Sequence, residues 1–263
     1  MNTCIRQIPL LLAFFTAAFA HAAEPLPQAH AHNDYEHKRA LLDALDHGFC
    51  SVEADIYLTN GALLVAHDAD KVDPKRTLEA LYLEPLRQRV KQNGGSVHSN
   101  GPPFMLLIDF KTEAQSTYAA LRPLLETYRE MLTKFTSSEA RTGAVTIVLS
   151  GNRPIQTVAS ERERWVGIDG RLPDLDENPS PQLVPLVSDN WTKYFQWRGQ
   201  GALSESERAK LKTFVERAHA KGHRIRFWAV PDAEAGWRAM RDAGVDLINT
   251  DNLPGLQQFL STR

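Results

Sequence analysis

The sequence predicts one large α/β domain built on parallel strands, and three observations predict it. Short apolar, β-branched runs recur along the chain, and segments of helical periodicity separate nearly all of them. There are about eight such strand–helix units, and strands separated by helices pair in parallel. The chain of 263 residues is 43% hydrophobic and 24% charged, enough to cover such a sheet with an ample core. A closed (β/α)8 barrel fits this count; a doubly wound open sheet is the alternative from pattern alone.

The elements follow in order. Residues 1–22 read as a signal peptide, with Arg6, then the apolar IPLLLAFFTAAFA, then small-residue cleavage sites at Ala18–Ala20 or Ala20–Ala22. The chain is therefore expected to be exported, to the periplasm or the extracellular space. Cleavage removes Cys4, so Cys50 has no intramolecular partner and is expected to be a small core residue. Residues 24–263 are expected to form a single domain, with 24–29 as a Pro-containing linker. QAHAHND is a short first strand with a polar tip, and KRALLDALDHG an amphipathic helix stopped by Gly48. SVEADIYL and ALLVAHD form the second strand region around the tight turn Asn60-Gly61. LEALYLEPLRQRVKQNGG is helical, broken or kinked at Pro85. PFMLLIDFK is the third strand, and Ala114 to Lys134 has helical spacing despite Pro123. AVTIVLSG, WVGIDG and LVPLVSD are strands four to six, with a short helix through Arg162 after the fourth. In SESERAKLKTFVERAHAKG, Ser204 and Glu207 form a capping box and Gly222 ends the helix. RIRFWAV, a helix from Ala233 to Ala243, DLINTD and a closing helix complete the chain.

The chemistry is concentrated between His30 and Asp68. Glu53 and Asp55 are two apart in a strand and share a face. Two carboxylates side by side repel unless a proton or a cation holds them, and a hard divalent ion is one solution. His32 precedes the pair and His67 follows it, a spacing that suits a general base and a general acid. Asp109 interrupts the apolar third strand, where an unpaired charge is costly, with Lys111 on the same face. The formal charge of −2 supplies no basic field for nucleic acid, and no run after residue 20 could span a bilayer. His98, His219 and His223 read as surface residues.

His-Asn, Glu-x-Asp, Asn-Gly and Val-Ala-His-Asp together resemble the glycerophosphodiester phosphodiesterase and phosphatidylinositol phospholipase C superfamily. The HNDY form of the first motif is most similar to the branch containing the altered-inheritance-of-mitochondria protein 6 family. GHRIRFWAV and AGVDLINTDNLPGLQQFL resemble that superfamily's last strands and helix. The resemblance decides for the TIM barrel over the open sheet. It implies a phosphoric diester hydrolase acting on glycerophosphodiesters or phospholipid head groups, with Glu53, Asp55 and Asp109 holding one divalent cation, Mg²⁺ or Ca²⁺. It implies His32 and His67 as the catalytic pair, the register favouring His32 over His30. Two departures are notable. Asp109 stands where most glycerophosphodiesterases have Glu, as in sphingomyelinase D relatives, and Asn33 stands where they have Arg. Asn33 is left to coordinate the ion or orient substrate, and Lys111 to contact phosphate or pair with Asp109. Trp228 matches an aromatic lining the substrate site of relatives, or is a core residue; Arg226 shares its face. A sphingomyelinase D- or lysophospholipase D-like lyase and a non-catalytic binder of a phosphorylated ligand are the competing functions. Asp251 and Asn252 are second groups around the site or, better, the cap of the last helix. DNWTKYFQWRGQG either presents Trp191, Tyr194, Phe195 and Trp197 as a lip at a membrane surface or packs Trp191 and Phe195 against the barrel. The protein is expected to be a monomer.

Overall fold

The computed structural model describes residues 23–262. Eight strands pair in parallel and close on themselves. They are β1 (Leu26–Ala31), β2 (Phe49–Thr59), β3 (Phe104–Phe110), β4 (Val145–Gly151), β5 (Val166–Gly170), β6 (Leu186–Asn190), β7 (Arg224–Trp228) and β8 (Leu247–Thr250). Each pairs with the next, and β8 returns to β1. Closure excludes the open sheet and leaves no parallel edge to protect. The signal peptide expected at 1–22 lies outside the described residues.

Strand alternation divides the core in two. Outward residues such as Val52, Ala54, Ile56, Leu106 and Ile108 pack under the helices. Inward residues Met105, Leu107, Val148, Leu186 and Leu247 form a separate apolar plug inside the barrel. The same inward rows continue towards the C-terminal end as Glu53, Asp55, Asp109, Ser150, Asp169, Ser188 and Arg226. Polar groups therefore sit in register above the plug, at the end where barrels of this kind carry their chemistry.

Several boundaries differ from expectation. The predicted linker at 24–29 is largely strand, because Leu26 N–H donates to the Gly48 carbonyl at 2.7 Å and seats the segment beside β2. The first helix shrinks to Leu42–Asp46. Its start is fixed by Asp34, whose Oδ2 accepts from Leu41 N–H at 2.5 Å while Leu41 holds φ 64. The helix after β3 ends at Glu126, and Lys134 belongs to a short strand of a three-stranded side sheet. Pro85 begins a regular helix, Glu84–Gln92, after a π-helical turn at Glu79–Leu83. Asn60 and Gly61 form the expected tight turn with φ 51 and 80, pairing β2 with an antiparallel strand, Ala62–Val65. Ser204 caps Glu205–His219 through Glu207 N–H, but the Glu207 carboxylate accepts from the Gln196 and Trp197 N–H groups instead of closing a capping box.

Cys50 is buried, as expected. His98 and His223 are not surface residues. Each is buried with a ring N–H donating to a carbonyl, His98 to Phe49 at 2.8 Å and His223 to Val184 at 2.7 Å. The lip reading of the aromatic loop also fails. Trp191 and Phe195 are 0% exposed and stack at 3.8 Å, and Trp197 is buried beside them. Tyr194 turns its hydroxyl onto Asp189 at 2.9 Å. Aromatic area of this size is worth more in packing than in water.

Candidate active site

The C-terminal mouth of the barrel encloses a cavity of about 230 Å³. Every residue expected at the site lines it: His32, Asn33, Glu53, Asp55, His67, Asp109, Lys111 and Trp228. Ser150, Ser188, Arg171 and Arg226 complete the wall.

The centre is acidic. Glu53, Asp55 and Asp109 each offer an oxygen, and these oxygens lie within 4.8 Å of one another. Register explains the convergence: Asp55 is directly opposite Asp109 on adjoining strands, and Glu53 is one inward step below. Gly151 makes room, since a Cβ there would lie 2.5 Å from Asp109 Oδ1. Lys111 Nζ bridges Asp55 at 2.9 Å and Asp109 at 3.0 Å, the ion pair expected with Asp109 extended to a second acid at the cavity wall. Arg226, in the cavity wall, pairs with Glu53 and with Asn249 Oδ1 at 2.6 Å. Burial pushes the Glu53 carboxyl up, but the Arg226 guanidinium, the His30 hydrogen bond and the neighbouring His32 together outweigh it and hold it well below the usual range. Asp55 has less help: burial, then the charge of Glu53, push it up to about 6 against Lys111. Burial likewise raises Asp109. Three carboxylates thus share too little positive charge, and Asp55 Oδ1 is buried without a hydrogen-bond partner among the described residues. An oxygen-rich, electron-rich cluster with an unpartnered carboxylate oxygen fits a hard divalent cation.

The histidines separate by environment. His30 is fully buried, with Nδ1 2.7 Å from Ser51 Oγ and Nε2 3.4 Å from Glu53. Burial and the Arg226 charge lower it to about 3, so it stays neutral and the Glu53 contact is a hydrogen bond rather than an ion pair. A neutral imidazole with both nitrogens engaged cannot shuttle protons; it orients Glu53. His32 stands at the tip of β1, its Nδ1 3.0 Å from Asp251 Oδ1. Partial burial pulls its imidazolium down, but the Asp251 hydrogen bond and the Glu53 charge outweigh it, leaving His32 above its usual value. Asp251 is thus a partner of His32, while Asn252 caps the last helix through Gly255 N–H. His67 Nδ1 lies 3.0 Å from Tyr35 Oη and 3.3 Å from Asp55.

Tyr35 links these parts. Its hydroxyl is 2.7 Å from Asp55 Oδ2 and 2.8 Å from Asn33 Oδ1. Burial and the Asp55 charge push the phenol far above its usual range, so it keeps its proton. One hydroxyl has one proton. Donated to Asp55, it leaves the oxygen open to an N–H from His67 Nδ1. Asn33 holds the left-handed conformation, φ 47, that turns the chain from β1 into this arrangement.

Tyr35, Arg171, Ser150, Ser188 and Asp169 were not singled out from sequence. Asp169 is fully buried, accepting from both serine hydroxyls and from Arg171 at 2.8 Å. The available signal was positional: each of these except Tyr35 falls within the last few residues of a predicted strand or just beyond it, and Tyr35 completes HNDY.

A family profile described as AIM6-like phosphodiesterase domain matches residues 18–169, and one of the glycerophosphoryl diester phosphodiesterase family matches residues 224–254. The Altered inheritance of mitochondria protein 6 of Eremothecium gossypii is 30% identical over 89% of this chain and 69% of its own length. The homolog from Arthroderma benhamiae is 27% identical over 87% and 82%. Among solved structures, a glycerophosphodiester phosphodiesterase from Parabacteroides distasonis superposes with TM-score 0.56 at 15% identity, covering 92% of this chain and 99% of that one. One from Agrobacterium tumefaciens gives 0.52 at 18%, covering 90% and 100%. At these identities the two structures speak for the barrel alone. The sequence relatives and the matched profile go further: the chain belongs to the AIM6-like phosphodiesterase family.

Proposed function

We propose that the protein is an exported, cation-dependent hydrolase of glycerophosphodiesters or phospholipid head groups, working as a monomer. The observation that carries this reading is the cluster of Glu53, Asp55 and Asp109 facing two histidines across one cavity. The three acids would hold one Mg²⁺ or Ca²⁺, which when bound neutralises phosphate charge. His67, lining the cavity with Nδ1 turned to Tyr35 and Asp55, suits the base that takes the proton of the attacking hydroxyl. His32, whose imidazolium Asp251 favours, suits the acid that protonates the leaving oxygen. Lys111 bridges Asp55 and Asp109 and adds positive charge at the wall. Asn33 and Trp228 border the substrate space.

The test is a panel of diesters assayed for released choline, glycerol phosphate or inositol phosphate, with and without EDTA, on wild type and Glu53→Gln. Turnover that needs the ion and disappears in Glu53→Gln is expected. Full activity in EDTA excludes the cation, and no turnover on any diester, with phosphorylated ligands still bound, favours a binding protein. A cyclic phosphate product identifies the attacking hydroxyl as the substrate's own.

A further inference from the structure

Beside Asp109, the ends of β4 and β5 bring two arginines near each other. Arg171 directly follows Gly170, and its guanidinium lines the cavity. Nη1 is held by Asp169 Oδ2 at 2.8 Å and by the carbonyls of Gly170 at 2.9 Å and Asp169 at 3.2 Å. Nη2 has only a long contact, 3.4 Å, to Ser150 Oγ. One side of the guanidinium is thus anchored, and the other is left to a ligand. Arg153 follows Gly151 and spends one N–H on the Gly151 carbonyl at 3.2 Å. Its Nε is buried without a partner among the described residues. Burial, then the neighbouring Arg171 charge, lower it. The acids that face this pair are Asp169, Asp174 and Asp109. Of these, Asp169 is shared with two serines, Asp174 Oδ2 accepts the Arg171 backbone N–H, and Asp109 is paired to Lys111.

We propose that Arg153 and Arg171 form an anion subsite beside the phosphodiester site, so that the preferred substrate carries a second anionic group, a carboxylate or phosphomonoester, on its alcohol. Guanidinium forks bind both groups through paired N–H donors. Lys111 and Arg226 each pair with acids, whereas Arg171 Nη2 and Arg153 Nε face no carboxylate. The same pair repels a quaternary ammonium head group. The substrate class rests on the phosphodiesterase reading; the anion subsite itself does not.

Three p-nitrophenyl phosphodiesters with one leaving group and different second alcohols separate the possibilities: 3-hydroxypropionate, propane-1,3-diol and choline. With the divalent ion present, kcat/KM is expected to be about tenfold higher for the carboxylate ester than for the diol ester, as a charge-assisted pair implies, and lowest for the choline ester. Arg153→Gln and Arg171→Gln should each bring the carboxylate-to-diol ratio towards one. Equal rates in wild type, a preference for choline, or a carboxylate preference that survives both substitutions overturns the proposal. Calorimetry with inorganic phosphate in EDTA reads the subsite without turnover. Wild type should bind, and each variant should bind about tenfold more weakly. Undetectable or unchanged binding overturns the subsite, whereas phosphate binding of this pattern with no hydrolysis of any ester retains it and rejects the hydrolase. Arg153 makes one hydrogen bond, so Arg153→Gln stays folded even if Arg171→Gln, by freeing Asp169, does not.

Discussion

Asp34 gives this protein a pH-dependent stability that one substitution should remove. The carboxyl is 0% exposed, with Oδ2 accepting from Leu41 N–H at 2.5 Å and Tyr82 O–H at 2.8 Å, and Oδ1 partnerless among the described residues. Burial raises it from 3.8 to about 7 despite the two donors. A carboxyl raised in the folded state contributes fully below its unfolded value and loses that contribution as pH climbs through the folded one. The window therefore runs from about pH 4 to about pH 7. A shift of about 3 units at ~1.4 kcal/mol each comes to roughly 4 kcal/mol in all, of which roughly 2–3 kcal/mol falls between pH 5 and pH 8. Asp34→Asn keeps one oxygen for both donors and cannot ionise. Its amide takes the partnerless Oδ1 position, where an unpaired group costs about 1–3 kcal/mol that does not vary with pH. The assay is urea unfolding of both proteins at half-unit steps from pH 5 to pH 8. The difference between their unfolding free energies should move in favour of Asp34→Asn by roughly 2–3 kcal/mol across that range. Parallel curves would refute the reasoning, because Asp34 would then be titrating alike in both states.

Gly151→Ala should cost about 2–4 kcal/mol, from its φ of 66 and from a Cβ 2.5 Å from both Asp109 Oδ1 and the Phe110 carbonyl; calorimetry should show weakened Mg²⁺ or Ca²⁺ binding alongside the lower Tm, and unchanged ion binding would remove Asp109 from the ligand set. His32→Ala and His67→Ala should each lower kcat by about 10²–10⁴ while ion binding persists, and loss of ion binding in either would make that histidine a ligand. Because Asp251 raises His32, Asp251→Asn should move the alkaline limb of kcat/KM to lower pH, as an acid with a lowered value loses its proton sooner; an unmoved limb assigns the acid elsewhere. Replacing Tyr194 and Trp197 by Ser should lower Tm and reduce hydrolysis of vesicle-bound phospholipid and of a small soluble diester equally, as befits packing residues; selective loss on vesicles would restore the membrane lip.

The sequence by itself determined the repeat of strands and helices, the inward pairing of Glu53 with Asp55, and the location of most of the cavity at strand ends. Each of these is local: a period of two sets which face a strand residue takes, and a strand end is marked within a few residues. Family likeness added the choice of barrel over open sheet, which periodicity cannot make because both alternate strand and helix. What only the tertiary structure decided involves partners far apart in the chain. His30 and His32 are two residues apart and alike in sequence, yet burial and Arg226 lower one while Asp251 helps to raise the other. His98 and His223 looked like surface residues in polar surroundings until distant carbonyls claimed their ring nitrogens. The aromatics after β6 read equally well as lip or core, because four-residue spacing says which side chains meet and not whether water lies beyond them. Arg153 and Arg171 became a pair only when β4 and β5 were laid side by side, since register between strands is a property of the closed sheet and of no segment within it.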